Sequence, residues 1–489
     1  MGKLPAEDDS RRSTIVLATK GCYISERRRI GMARNIVIFA DGTGQRGGVL
    51  FDECRSNIYK LYRATRTAPD SGINPAEQIA FYDPGIGTLP KGIGLFGTIG
   101  QWLYNLVSQA TGLGLTKNII DGYTAIIRNA VPGDQIFLIG FSRGAYTARC
   151  IAAVLAHCGI PTRMKDGTPL RRDEASARVI AKEAVTKVYQ HVSSEKDAAY
   201  RGQRDALAAR FRTAYGSGDA AGPNTCPYFI GVFDTVAALS NTGSLIVTGL
   251  IGGVLLLALS AIGLALGYGF WTSASAILGA SGLIALGFYL RSHVKFAVGL
   301  PGIAWWKTVH LTSFRMKFYN TQLNSNIGYA RHALSIDERR KDFERVPWGK
   351  PDVWRDTGAG NPDWFEQIWF SGNHSDVGGS YPDSESRLSD ISLGWMAHEA
   401  AKLPDGLKID WSVLRLYPDP RGMQHDEMRS LAFRFAATVT REIKPQARLH
   451  DSVYERIKAG RVLHYDVERP YRPDNLRQHE QAGGLFEQQ

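Results

Sequence analysis

The stretch Ile136-Phe137-Leu138-Ile139-Gly140-Phe141-Ser142-Arg143-Gly144 decides the fold. An apolar run enters a Gly-x-Ser-x-Gly turn. The turn opens into Ala145-Tyr146-Thr147-Ala148-Arg149-Cys150-Ile151-Ala152-Ala153-Val154-Leu155, a helix-forming sequence. Strand, tight turn and helix in that order are the layout of a nucleophile elbow. Glycines are required where the backbones of strand and helix nearly touch, and the serine between them is presented with its hydroxyl exposed. The helix that follows aims its N-terminal partial positive charge at that hydroxyl, which suits an oxyanion forming there.

Outward from the elbow, apolar runs rich in Ile, Val and Phe recur at 35–40, 78–82, 135–140, 228–233 and 367–371. Strands covered by helices on both faces read this way. Helical spacing of Ile119, Ile120, Tyr123, Ile126 and Ile127 predicts a helix over 116–130. Val179, Val185, Val188 and Val192 predict another over 174–192. The expected fold class is α/β and α/β-hydrolase-like: a mainly parallel sheet with helices on both faces. Asp41 follows the first run, Asp83 the second, Ser142 the third and Asp234 the fourth, and His374 lies just past the fifth. In open α/β sheets the carboxyl ends of the strands form the ligand crevice. One edge is thus expected to collect a hydroxyl, several carboxylates and an imidazole.

The chain order Ser142, Asp234, His374 is that of a hydrolase triad. A serine hydroxyl is a poor nucleophile unaided, so it needs a base, here His374, and a group that orients the base, here Asp234. Asp376 is the rival acid, although its place on the histidine's own loop suits it better to tying that loop. Amides of Gly42 or Thr43, together with that of Arg143, are the expected oxyanion-hole donors, and Asp41 and Asp376 are supporting candidates. A nucleotide loop at 41–45 is disfavoured, because no Walker lysine and no G-x-G-x-x-G run follows.

The 489 residues, 44% of them hydrophobic and 21% charged, are enough for a large α/β domain with insertions. A net charge of +11 is not clustered, and no basic recognition helix is present, so nucleic acid is not an expected partner. The five cysteines show no metal-like spacing and read as a reducing-compartment set. No metal and no cofactor are expected, since the histidines are scattered. The apolar run 14–18 is too short for a secretory signal. Residues 1–34, with Arg27-Arg28-Arg29, read as a flexible basic arm and 470–489 as a disordered polar tail. Residues 165–219 read as a charged, mostly helical insertion with room for a protein partner that nothing in it identifies.

Residues 235–290 contain no charged side chain. Within them, 244–266 is long enough as a helix to span a hydrocarbon core of ~30 Å. Gly267-Tyr268-Gly269-Phe270-Trp271 makes a turn with interfacial aromatics, and 272–290 runs back. Gly249 and Gly253, and Gly263 and Gly267, have the spacing that lets membrane helices pack closely. Arg291, His293 and Lys295 follow at once. The expectation is a transmembrane helical hairpin at 241–290, inserted between the hydrolase halves 35–240 and 291–469, both on the cytoplasmic side. A hydrophobic lid is the alternative.

Together, Asp41-Gly42-Thr43, Tyr82-Asp83-Pro84-Gly85-Ile86-Gly87-Thr88, Gly140-Phe141-Ser142-Arg143-Gly144-Ala145, Val232-Phe233-Asp234-Thr235-Val236, Arg331-His332-Ala333-Leu334-Ser335-Ile336-Asp337-Glu338 and His374-Ser375-Asp376-Val377-Gly378-Gly379 resemble the motifs of one family. It is the α/β-hydrolase domain of type VI secretion phospholipase effectors and their relatives. The resemblance runs from about 35 to 451, apart from the apolar insertion. It implies a serine hydrolase acting on ester bonds, with phospholipids as the substrate class, and gives the nucleophile, acid and base roles to Ser142, Asp234 and His374. The leading expectation is therefore a membrane-anchored serine esterase of phospholipase or lysophospholipase type, with lipid or acyl ester and membrane as partners. The alternatives are a tethered esterase on soluble acyl esters and a non-enzymatic membrane-binding module on a hydrolase shell.

Overall fold

The computed structural model describes residues 33–42, 54–85, 113–131, 133–192, 195–236, 242–312, 323–343, 345–348, 363–429 and 437–486. Six strands form one parallel sheet: β1 (Asn35–Ala40), β2 (Gln78–Asp83), β3 (Gln135–Phe141), β4 (Phe229–Phe233), β7 (Tyr329–Ser335) and β8 (Phe365–Phe370). Their order is β2-β1-β3-β4-β7-β8. The chain leaves β1 in one direction and resumes at β3 in the other, so the strand order reverses between β1 and β3. A crevice opens beyond the carboxyl ends at such a point.

Period-2 alternation sends opposite sets of side chains to the two faces. Ile36, Ile38, Ile136, Leu138, Ile230 and Val232 pack under α2 (Leu113–Asn129), α3 (Arg143–Cys158), α4 (Glu174–Glu183) and α5 (Arg201–Tyr215). Val37, Phe39, Phe137, Ile139, Phe229 and Phe233 pack on the other face, against α1 (Asn57–Thr65) and α9 (Arg387–Ala401). Burying a side chain of this size contributes roughly 1.5–3 kcal/mol, so the two layers dominate the fold's stability.

The strand β7 was not among the expected five. Its sequence carries Arg331 and His332, both buried, and so lacks an apolar run. Arg331 is accommodated because its Nε donates to Glu399 at 2.6 Å and its Nη1 to the Asp363 carbonyl at 2.8 Å.

A further expectation is corrected. Residues 470–486 are not a disordered tail: Tyr471, Leu476 and Ala482 are buried with Leu334, Ile336 and Trp369 at the β8 edge, beside α10 (Asp451–Lys458). The 165–219 segment is mostly helical, as its sequence led us to expect. Its Ile180, Val185, Tyr189, Leu207 and Phe211 belong to the main core. The predicted helix 174–192 turns to a wider, then a tighter coil after Glu183, which leaves Val179 exposed while Val185, Val188 and Val192 are buried. The basic arm lies outside the described residues but for its last two. Cys54, Cys150 and Cys158 lie outside any disulfide, whereas Cys226 is disulfide-bonded.

The apolar insertion folds as two helices, α6 (Thr242–Ala265) and α7 (Phe270–His293), which pack on one another. Within α7, Phe270–Arg291 is long and apolar enough to cross a membrane, with mean hydropathy 1.6 and almost none of it buried against the protein. The described apolar part of α6, Gly252–Ala265, is shorter. Of the glycines expected at the helix contact, Gly263 faces Ser273, whereas Gly249 and Gly253 meet nothing and Gly267 lies in the turn at φ +89°. A ribbon of β5 (Val294–Lys295) and β6 (His310–Leu311) follows.

Candidate active site

The register of the sheet aligns the carboxyl ends of its strands. Ala40 pairs with Gly140, Phe141 with Phe233, and Phe233 with Ala333. The residues that come next therefore emerge along one rim. Ser142 donates its amide to the Phe233 carbonyl at 3.1 Å, and Asp234 donates its amide to the Ala333 carbonyl at 2.8 Å.

Ser142 has φ 58° and ψ −123°, a conformation that non-glycine residues rarely adopt. The elbow glycines explain how the turn closes. A Cβ on Gly144 would stand 2.0 Å from the Ala40 carbonyl oxygen, and one on Gly140 would stand 2.5 Å from that of Gly144. Asp234 is also left-handed, at φ 39°. Strain of this kind costs on the order of 1–3 kcal/mol per residue and persists where the surroundings over-determine it.

His374 is the first residue of the short helix α8 (His374–Gly378). Asn373 caps that helix through the amides of Ser375 and Asp376, and the Asp376 carboxylate returns a bond to the Asn373 amide at 3.0 Å, a capping box. The same carboxylate accepts from the His425 amide at 3.0 Å and lies 2.7 Å from His425 Nδ1. Asp376 thus ties down the histidine's helix and makes no contact with the imidazole of His374. Phe141 carries this helix into the elbow. Its ring lies 4.6 Å from the His374 ring, and a Cβ on Gly378 would fall 1.8 Å from it.

The histidine meets Asp234: His374 Nδ1 is 2.5 Å from Asp234 Oδ2, and both residues are buried. Arg441 holds the same carboxylate from behind, Nη1 to Oδ1 at 2.5 Å and Nη2 to Oδ2 at 3.0 Å, while the Ser335 amide adds a bond to Oδ1 at 3.1 Å. Burial alone would raise the Asp234 carboxyl, but the Arg441 guanidinium and then the His374 imidazole outweigh it and hold it well below the usual carboxylate range. An ionised carboxylate only accepts, so Nδ1 must carry the proton and Nε2 is the free base. Nε2 is buried and makes no hydrogen bond. Ser142 makes no hydrogen bond to it.

The other candidates divide. Arg143 heads α3, where helix geometry leaves its amide without an intrahelical acceptor. The Gly42 amide is already engaged, donating to Asp41 Oδ1 at 2.7 Å, and Thr43 lies outside the described residues. Asp41 also accepts from Ser56 Oγ at 2.5 Å and Tyr82 Oη at 2.6 Å. It braces the loop and is not aimed at the imidazole. Burial pushes its carboxyl up to about 6 against the pull of these donors.

Sequence reasoning missed Arg441, Glu338 and Phe343. Glu338 is buried, pairs with Arg340 at 2.7 Å and accepts from the His374 amide at 3.3 Å. Phe343 lies edge-on to the His374 ring at 5.0 Å. Glu338 closes one of the motifs quoted above, but nothing in that motif ties it to His374, and no local motif marks Arg441 or Phe343. Among the described residues, no cluster of His, Cys, Asp and Glu could hold a metal.

Comparison with known proteins adds an independent line. The sequence matches the family described as "T6SS, Phospholipase effector Tle1-like, catalytic domain" over residues 34–251 and 294–399, more than half of the chain. The break between these stretches coincides with most of the α6–α7 hairpin. An uncharacterized protein of Saccharomyces cerevisiae is 31% identical over 134 residues, which is 26% of this chain and 18% of the yeast protein. Among solved structures, an uncharacterized protein from Pseudomonas aeruginosa aligns with TM-score 0.36 and 16% identity, over 78% of this chain and 47% of its own. The Tle1 effector bound to the VgrG spike of the type VI secretion system aligns with TM-score 0.26 and 17% identity, over 72% of this chain and 52% of that one. The chain thus spans about half the length of these solved structures and under a fifth of the yeast protein. By its match over both halves of the sheet, the chain belongs to the Tle1-like phospholipase effector catalytic-domain family.

Proposed function

We propose that this protein is a membrane-tethered serine hydrolase that cleaves carboxylic ester bonds of phospholipids or lysophospholipids. The observation that carries the reading is the 2.5 Å contact between His374 Nδ1 and Asp234 Oδ2, with Nε2 left unpartnered and the imidazole 4.6 Å from the ring of Phe141, the residue before the elbow serine. Family membership supports lipid esters as the substrate class.

In this reading Ser142 Oγ attacks the acyl carbon and His374 Nε2 takes its proton. The negative charge formed on the carbonyl oxygen faces the first amides of α3, where Arg143 supplies a donor and the helix dipole adds to it. Asp234, kept ionised by Arg441, stabilises the imidazolium. The imidazolium then protonates the leaving alcohol, and the serine is acylated. Water, deprotonated by the same nitrogen, attacks the acyl-serine, releases the fatty acid and restores the hydroxyl. The hairpin is read as a two-span anchor, with both halves of the hydrolase on one side of the membrane, the cytoplasmic side.

The test is hydrolysis of phospholipid in mixed micelles by the full chain. Ser142→Ala should lower turnover by roughly six orders of magnitude. Equal hydrolysis by the variant rules the reading out.

A further inference from the structure

The ribbon after the hairpin is the part of the body that the mechanism does not use. Residues 294–311 expose Phe296, Trp305, Trp306 and Leu311, the last two at 63% each. Phe296 and Trp305 touch at 6.3 Å between ring centroids, and Trp305 and Trp306 at 6.1 Å, so these rings form one patch. An exposed apolar patch of this kind marks a surface that something covers.

The ribbon is fixed to the hydrolase body. Ala297 and Leu300 are buried in the main core, His310 Nε2 is 2.8 Å from the His191 carbonyl, and Arg210 reaches the Val298 carbonyl. Its place relative to the hairpin is fixed as well, since β5 continues α7 without a break. Wherever the ribbon docks, the body docks too.

Two observations identify what covers it. Between Asp234 and Asp337 the sequence holds no aspartate or glutamate, whereas Arg291, Lys295 and Lys307 stand in or beside the patch. A segment free of carboxylates and edged with cations suits an anionic surface. The aromatic residues also fall into two groups. Tyr268 and Trp271 are exposed at the hairpin's tip, and Tyr289 with the ribbon's tryptophans at its foot. From Trp271 to Tyr289 the helix rises about 27 Å, close to the ~30 Å of a hydrocarbon core. Tryptophan and tyrosine settle at the two faces of a bilayer.

We propose that the 294–311 ribbon is an interfacial collar. Trp305, Trp306, Phe296 and Leu311 enter the boundary between headgroups and acyl chains, and Arg291 and Lys307 meet anionic lipid phosphates. The proposal rests on the reading of the hairpin as membrane-embedded. Its consequence concerns the site. α6 begins eight residues after Asp234, a reach of at most about 27 Å, so seating the collar holds Asp234 within that distance of the hairpin's first turn.

The test is depth-dependent quenching in the full chain. Cys54, a half-exposed cysteine outside any disulfide, is replaced by serine, and a fluorescent label is placed by Trp306→Cys, Leu278→Cys or Val131→Cys. Val131 lies before β3, at the amino edge of the sheet. Vesicles of phosphatidylcholine, with and without a third of phosphatidylglycerol, carry shallow or deep nitroxide lipids. The label at 306 should be quenched by the shallow nitroxide, more so with phosphatidylglycerol, and that at 278 by the deep one. The label at 131 should not be quenched. Quenching at 278 with none at 306 overturns the collar while leaving the anchor intact. Absence of quenching at 278 overturns the anchor and the collar with it. Equal quenching at 306 in neutral and anionic vesicles overturns the assignment of anionic lipid.

Discussion

Arg441 clasps Asp234 with both terminal nitrogens from 207 positions away in sequence, sharing Oδ2 with His374 Nδ1. This relationship fixes the charge state on which the imidazole depends. Removing the guanidinium leaves a buried carboxylate short of its cation, a change that destabilises by about 3–5 kcal/mol. Arg441→Met is therefore expected to unfold at lower urea concentration by that amount at pH 7. The pH dependence has a definite sign. A depressed carboxyl contributes stability that is present above its unfolded value of about 4 and is lost as pH falls through the native value. In Arg441→Met the loss should begin nearer neutrality. An acid-unfolding midpoint that does not rise relative to wild type would count against the clasp.

Asp41 gives the opposite sign. Its carboxyl is raised to about 6 by burial, so its contribution is fully present below about 4 and lost as pH rises through 6. A rise of about two units corresponds to about 3 kcal/mol. Asp41→Asn removes that penalty. Its stability relative to wild type should improve between pH 5 and pH 7.5, measured by chemical denaturation at both. A constant difference contradicts the assignment.

The strained serine makes a separate prediction about stability. Ser142 holds φ 58° at the elbow. Ser142→Gly removes the Cβ that makes this region unfavourable, so it should stabilise the fold by roughly 1 kcal/mol while abolishing hydrolysis. Ser142→Ala keeps the Cβ and should not gain. Comparing the thermal midpoints of the two variants checks this, and equal midpoints deny the strain.

Leu278 is exposed midway along α7. In the anchor reading it faces acyl chains, so Leu278→Arg should disfavour insertion by about 2.5–3.5 kcal/mol. Carbonate extraction of membranes should release the variant and retain the wild type. Equal retention speaks for a peripheral lid.

What the sequence made legible was local. The strands β1, β3 and β4 announce themselves as apolar runs, and the elbow by glycines set around a serine, because the constraint lies within a few residues. The strand β7 hid behind Arg331 and His332. A buried arginine is tolerable only because Glu399 arrives from another helix, and that arrival is not written in the strand. Residues 470–486 looked polar because their buried Tyr471, Leu476 and Ala482 are spread among charged neighbours. At the site, the meeting of Asp234 and His374 was legible from strand ends and motif order. Arg441 could not, since nothing around it distinguishes it from a surface arginine. The Gly42 amide was misjudged for a similar reason: the neighbouring Asp41 side chain claims it first.

The account's central claim is that His374 and Asp234 activate Ser142, and covalent labelling tests it most directly. A fluorophosphonate probe applied to the folded full chain, followed by mapping of the modified peptide, should place the adduct on Ser142. The rate should fall by at least about a hundredfold in His374→Ala. Labelling at another residue, or undiminished labelling of Ser142 in folded His374→Ala, would contradict it.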